Sequence, residues 1–334
     1  MIAAATSGAG TIPGIPTDPW RYVPHPEVWF IVALSATAYW YALTRIGPRV
    51  VAKGERIATK RQVWCFIGGL FTLYVASSWP IHDWAEDYLF SVHMVEHLLI
   101  SLVAPPLLLL GIPGWLTRWI LRPKWAAGTV RVLARPLVAA VMFNVVVAVT
   151  HAPFWVNGTL YHHFWHFWSH LLLFTAAMFM WFPVVNALPE FPHLSRPLKM
   201  LYLFLQSIIP NVPAAFLTFA TGAIYTYYSH VPRPFGISAV SDQQLAGAIM
   251  KVGGTFLIWG IIVVVFFRWY AEQAARDADS LQRRLAAQRL QMAQMSIEEP
   301  EADRVGPVTD TPDVLTWEHV VGELAKTPPA KPGP

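Results

Sequence analysis

Two short stretches of the chain carry the residue types that do chemistry. Ser91-Val92-His93-Met94-Val95-Glu96-His97 sets two histidines and a glutamate at i, i+3 and i+4, and the run Tyr161 to His170 repeats histidine at 162, 166 and 170. On an α-helix the first set shares one face with Cβ atoms roughly 5–6 Å apart, so His93, Glu96 and His97 can converge. The second set forms a ladder spanning roughly 12 Å at 1.5 Å per residue. Imidazoles beside a carboxylate are ligands for a metal ion or stations for a proton, and among metals imidazole suits copper and zinc. The literal string His93-x-x-Glu96-His97 also matches a zinc-hydrolase motif in which the glutamate is the general base. That motif is five residues long, and such enzymes need a further carboxylate ligand. Histidines facing one another across a bundle could instead hold haem axially. The chain has one cysteine, Cys65, which excludes an intrachain disulfide and a CxxC metal motif. Met94 is a weak thioether candidate, because its position beside His93 points it away from the two histidines.

The elements that must position these residues are membrane helices. The chain is 55% hydrophobic and 13% charged over 334 residues, a balance that rules out an ordinary soluble domain. Apolar runs long enough to cross the hydrocarbon lie at Val28–Thr44, Val63–Trp79, Val92–Ile112, Leu137–Thr150, His163–Val185, Leu201–Phe219 and Leu245–Phe267. The expected fold is all-α, a polytopic bundle of seven transmembrane helices. The fourth run is the shortest and is expected to continue past Pro153 to Val156. Residues 1–27 precede the bundle, 28–270 form it, 271–299 read as an amphipathic helix with Leu281, Leu285 and Met292 on one face, and 300–334 read as a disordered tail. Within that tail, Thr311-Pro312-Asp313 could start a short docking helix. The first twenty residues lack a basic segment followed by an apolar core, so no cleavable signal peptide is expected.

Charge sets the expected orientation. Arg45, Arg49, Lys53, Arg56, Lys60 and Arg61 lie between the first two runs, and Arg118, Arg122, Lys124, Arg131 and Arg135 between the third and fourth. Positive loops stay in the cytoplasm, so the N-terminus is expected outside and the C-terminus inside, with membrane lipid as a partner of the basic loops. A net charge of +4 gathered there needs no nucleic acid. Ten of the twelve histidines then fall at the outer face. Beyond the two motifs these include His82, next to Asp83, and His151, which ends the fourth run. Ionisable groups inside spans face the protein interior or a wet cavity, so His97, His170 and Glu96 are expected to meet one another or shared water. Ile209-Pro210-Asn211-Val212-Pro213 predicts a kink in the sixth run, with Asn211 free to hydrogen-bond across helices. Lys251 in the seventh run would repel a metal ion, so it is expected to pair with Glu96 or to sit on another face.

Taken in order, HMVEHLLISLVAPPLLLLGIP, THAPFWVN, the histidine-rich start of the fifth run, SIIPNVPAAFLTFA, IYTYYS and DQQLAGAIMK run over roughly Asp83 to Tyr270. Together they resemble the integral-membrane CtaG family of cytochrome c oxidase assembly factors associated with caa-type oxidases. The resemblance implies a bacterial plasma (inner) membrane protein that is no enzyme and that helps assemble cytochrome c oxidase, with copper delivery as the suggested task. His93 and His97 match the family's paired histidines, and His151 matches its histidine at the end of span four. Where the family often carries glutamine this chain has Glu96, and where it often carries an apolar or aromatic residue this chain has Lys251, which together hint at a private ion pair. The reading is a carrier that binds copper transiently through His93, His97, His151, His162, His166 and His170, supported by Glu96, His82, Asp83, Asn211 and Lys251. Its expected partners are oxidase subunits and an extracytoplasmic copper chaperone. A scaffold that moves no metal, a bis-histidine haem protein and a membrane zinc hydrolase are the alternatives.

Overall fold

The computed structural model describes residues 15–186, 188–298, 317, 321–322 and 326. Those residues contain helices and no strand. Five helices are long and apolar enough to cross a membrane: Lys60–Asp87, Phe90–Gly111, Phe164–Val185, Arg196–Phe219 and Ala239–Gln294. A sixth exists if Lys124–Leu133 and Pro136–Thr150, bent by 77° at their junction, count as one. This is the helical framework of a membrane protein, and its surface agrees: Phe216, Phe219 and Phe256 are each 71% or more exposed, which lipid tolerates and water does not. The first apolar run is also helical, as Pro26–Tyr41 continuing through Ala42–Ile46 and Gly47–Val50. Its tryptophans, tyrosines and polar residues dilute it, and it is not among the helices that qualify as spans by length and composition.

The helix ends follow from local chemistry. Lys60–Ala76 begins with a capping box, in which Thr59 accepts from the Gln62 backbone and Gln62 accepts from the Thr59 backbone. The fourth run does not continue unbroken past Pro153, contrary to expectation. Its helix ends at Thr150, and a new one, Pro153–Leu160, starts after Ala152. Ala152 stands in the extended region, as a residue preceding proline must to avoid the ring. The predicted kink in the sixth run is a short interruption at Ile209 and Pro210, between Arg196–Ile208 and Asn211–Phe219. Asn211 does not reach across helices. Its Nδ2 donates back to Ser207 O at 2.8 Å, occupying a carbonyl that the interruption leaves free. The cross-helix amide bond is made instead by Asn144, whose Nδ2 donates to Gln206 Oε1 at 2.7 Å.

Packing within Met1–Glu272 is close enough to need missing side chains. A Cβ on Gly111 would come within 2.6 Å of the Phe66 backbone, and one on Gly247 within 2.7 Å of Ala214 O. Three helices each carry one wide π turn, at Ala42–Ile46, Leu99–Val103 and Ile249–Gly253. The second is braced by its neighbours: Ser101 Oγ donates to His97 O, and Trp181 Nε1 donates to Ser101 O at 3.0 Å. In Gln273–Pro334 the described helical residues expose Leu281, Leu285 and Met292. The docking helix expected in the tail lies almost wholly outside the described residues.

Candidate metal centre

The helix Phe90–Leu98 is fixed at its start by a residue from far along the chain. Asp242, completely buried, accepts from Phe90 N at 2.8 Å and Ser91 N at 3.0 Å, which satisfies two of the backbone donors that a helix start leaves open. Arg233 Nη1 lies 3.2 Å from the same carboxylate, and Arg233 also donates to Tyr228 O. Tyr228 in turn donates to Ala85 O and Tyr225 to His151 O, so the 220–238 segment ties together the elements that carry the histidines. With that start fixed, His93, Glu96 and His97 share a buried face, as their spacing predicts. The rings of His93 and His97 stand 4.3 Å apart.

Helix His163–Val185 faces them with His166 and His170, whose rings are also 4.3 Å apart. His162 does not join. It precedes the helix with an extended backbone and is exposed, so the expected three-step ladder has two steps. The third contributor is the helix Ile81–Asp87. From it, His82 Nδ1 lies 2.8 Å from Glu96 Oε1 and His82 Nε2 lies 3.3 Å from Glu86 Oε1. Glu86 Oε1 is also 2.6 Å from His166 Nδ1, and Glu96 Oε1 is 3.4 Å from His170 Nδ1. Sequence reasoning missed Glu86. The i, i+4 spacing of His82 and Glu86 was the signal that could have found it.

These contacts assign the ring nitrogens. A carboxylate at Nδ1 takes the N–H of that nitrogen and leaves the Nε2 of a neutral imidazole as a lone pair. His166 is held in this way by Glu86, and its Nε2 lies 2.9 Å from His170 Nε2. His97 Nε2 approaches the same atom of His170 at 3.2 Å. Nitrogens this close are joined either by a shared proton or by a cation between them. A tetrahedral ion with bonds of roughly 2.0–2.1 Å separates its nitrogen ligands by about 3.3 Å, within a few tenths of an ångström of both spacings. One nitrogen each from His93, His97 and His170 also lies within 4.8 Å of the other two, as does a ligand atom each from His82, Glu96 and His170. Three buried atoms point the same way by lacking any partner: His93 Nδ1, His97 Nδ1 and Glu96 Oε2. The residues present fit a nitrogen-rich metal site with carboxylates behind its histidines, the arrangement that fixes ring tautomers around metals.

The remaining expected residues stand apart from this centre. His151 lies beside it, its ring 5.2 Å from that of His97, with Nδ1 held 2.8 Å from Val147 O. Asp83 turns the other way and bonds His25 Nε2 at 3.1 Å. That hydrogen bond holds the His25 imidazole above its ordinary pKa. The sequence gives no sign of this contact, since Asp83 is 58 residues away from His25. Lys251 forms no pair with Glu96. It is exposed on another face, while Glu96 is fully buried among imidazoles that replace the expected ammonium.

A family model described as cytochrome c oxidase caa3 assembly factor (Caa3_CtaG) matches residues 37–272. The chain belongs to that family. The stretch shared with the caa3 assembly factors contains every residue of the histidine cluster, whereas His25 lies outside it. Uncharacterized protein Mb0105 of Mycobacterium bovis and uncharacterized protein MT0111 of Mycobacterium tuberculosis are each 25% identical to the chain over 222 residues, covering 58% of this chain and 32% of each relative. The chain thus spans about a third of the length of these curated relatives. No solved structure matches.

Proposed function

We propose that this caa3 assembly-factor family member holds copper as cargo at the buried histidine cluster and passes it to cytochrome c oxidase during assembly. The observation that carries the reading is the convergence of the Nε2 atoms of His166, His170 and His97, spaced 2.9 and 3.2 Å, with His166 Nδ1 2.6 Å from Glu86. His97 and His93 complete the nitrogen set, and Glu86, Glu96 and His82 orient it. His82, with its side chain 20% exposed, is the most open member and the natural entry for an ion. A metal-free scaffold would leave the unpartnered Nδ1 of His93 without a purpose.

Metal analysis of the purified full-length chain tests this. Wild-type protein is expected to retain about one copper per chain at this cluster, and His166→Ala with His170→Ala to lose most of it, since imidazole is the site's main donor. Undiminished copper in the double variant would refute the proposal.

The same reading places the protein in a bacterial plasma membrane with seven spans, the first being Pro26–Tyr41 with its continuation. The N-terminus faces outside and the C-terminus the cytoplasm, because the arginine- and lysine-rich loops stay inside. A periplasm-active reporter fused within Pro153–Leu160 is expected to be active and one fused after Tyr270 inactive. The reverse pattern would put the cluster on the cytoplasmic side and break the link to copper centres filled from outside.

A further inference from the structure

Beside the histidine cluster lies a cavity of about 60 Å³, lined in part by Met94, His97, His151 and Met250. We infer that this cavity is a second metal subsite, a soft one selective for Cu(I), built from the two thioethers, His151 and the nitrogen of His97 that the first cluster does not use. This rests on the copper reading above and names a further stage of it.

Each ring is already set for the task. His97 belongs to both places: its Nε2 approaches His170, and its Nδ1 is buried with no hydrogen-bond partner. His151 Nδ1 donates to Val147 O at 2.8 Å, which makes its Nε2 the lone-pair nitrogen, and its ring stands 5.2 Å from that of His97. Met94 and Met250 are buried and line the same space. Met94 therefore does not leave the histidines behind as its sequence position suggests. The two helices that supply the methionines both widen into π turns here, Leu99–Val103 just after His97 and Ile249–Gly253 around Met250 itself. Such turns cluster at functional sites because the inserted residue re-aims the side chains on either side.

The chemistry of the two places differs in kind. The cluster has carboxylates behind its imidazoles and suits a harder or more highly charged ion. The cavity offers two neutral nitrogens and two thioethers with no anion among these four, a set that favours Cu(I) over Zn(II) or Cu(II).

The test is anaerobic titration of the full-length protein with Cu(I) against a chromophoric competitor, with Zn(II) as the hard control and X-ray absorption as the readout of sulfur. Wild-type protein at two equivalents of Cu(I) is expected to show a sulfur scatterer at about 2.3 Å. Met94→Leu with Met250→Leu, which conserves volume, is expected to abolish that scatterer and weaken the Cu(I) subsite roughly tenfold or more while leaving Zn(II) binding unchanged. His166→Ala with His170→Ala is expected to keep the sulfur signal while losing Zn(II). Absence of copper–sulfur scattering in the wild type, with cluster binding intact, overturns the subsite alone. Persistence of the sulfur signal in the methionine double variant overturns it as well. If the His166 and His170 variant keeps all its Zn(II) and copper, the cluster reading fails instead and the subsite stands.

Discussion

Replacing His166 and His170 together by alanine is expected to reduce cytochrome c oxidase activity under copper limitation to the level of a deletion strain, with the protein still present in the membrane at wild-type abundance. Neither substitution adds a charge to a span. What is lost is the pair of Nε2 atoms 2.9 Å apart. Oxidase polypeptides are expected to accumulate, and added copper to restore part of the activity, because a carrier works by raising the local concentration of its cargo and excess free metal substitutes for that. His162→Ala, an exposed ring outside the cluster, is the internal control and is expected to behave as wild type. Full oxidase activity in the His166 and His170 variant under copper limitation would show that the family role here is carried by scaffolding alone.

The second large effect is on stability. Glu96→Ala is expected to cost about 3–5 kcal/mol, the range for removing one partner of a buried charged pair, because it strands His82 and His170 without their shared carboxylate. Glu96→Gln is expected to cost less, since an amide oxygen still accepts from His82. Lys251→Met is expected to change stability by no more than about 0.5 kcal/mol, as ordinary exposed substitutions do. Thermal unfolding of the detergent-solubilised variants measures all three. A Lys251→Met loss equal to that of Glu96→Ala would restore the ion pair that the sequence suggested.

That ion pair shows where sequence reading stops. Glu96 and Lys251 are both unusual for their spans, and pairing two unusual charges is the economical guess. The structure satisfies Glu96 with His82, a residue from a helix too short and polar to register as one among apolar runs. The i, i+4 pattern of His93 and His97, the i, i+4 pair His166 and His170 and the proline interruption in the sixth run were all legible, since each depends on local spacing. His162 failed for a local reason too: the helix begins one residue after it. The pairing of His25 with Asp83 and of Asp242 with Phe90 and Ser91 depends on contacts between elements far apart in sequence, for which a single chain gives no sign. The first span illustrates a different limit, because tryptophan and tyrosine suit a membrane interface yet lower the apparent hydropathy of Pro26–Tyr41.

The carboxylate of Asp242 gives the site a place in time. Synthesis runs from the N-terminus, so His93, Glu96 and His97 emerge long before Asp242, and His166 and His170 also precede it. Until Asp242 arrives, the amides of Phe90 and Ser91 have no acceptor, and the helix that aims the first three ligands has no fixed start. A nascent or truncated chain ending before residue 242 thus presents its imidazoles without their geometry. On the copper reading, the cluster is expected to hold an ion only once the chain has been made past residue 242, which would keep shorter nascent chains from sequestering a scarce and reactive metal.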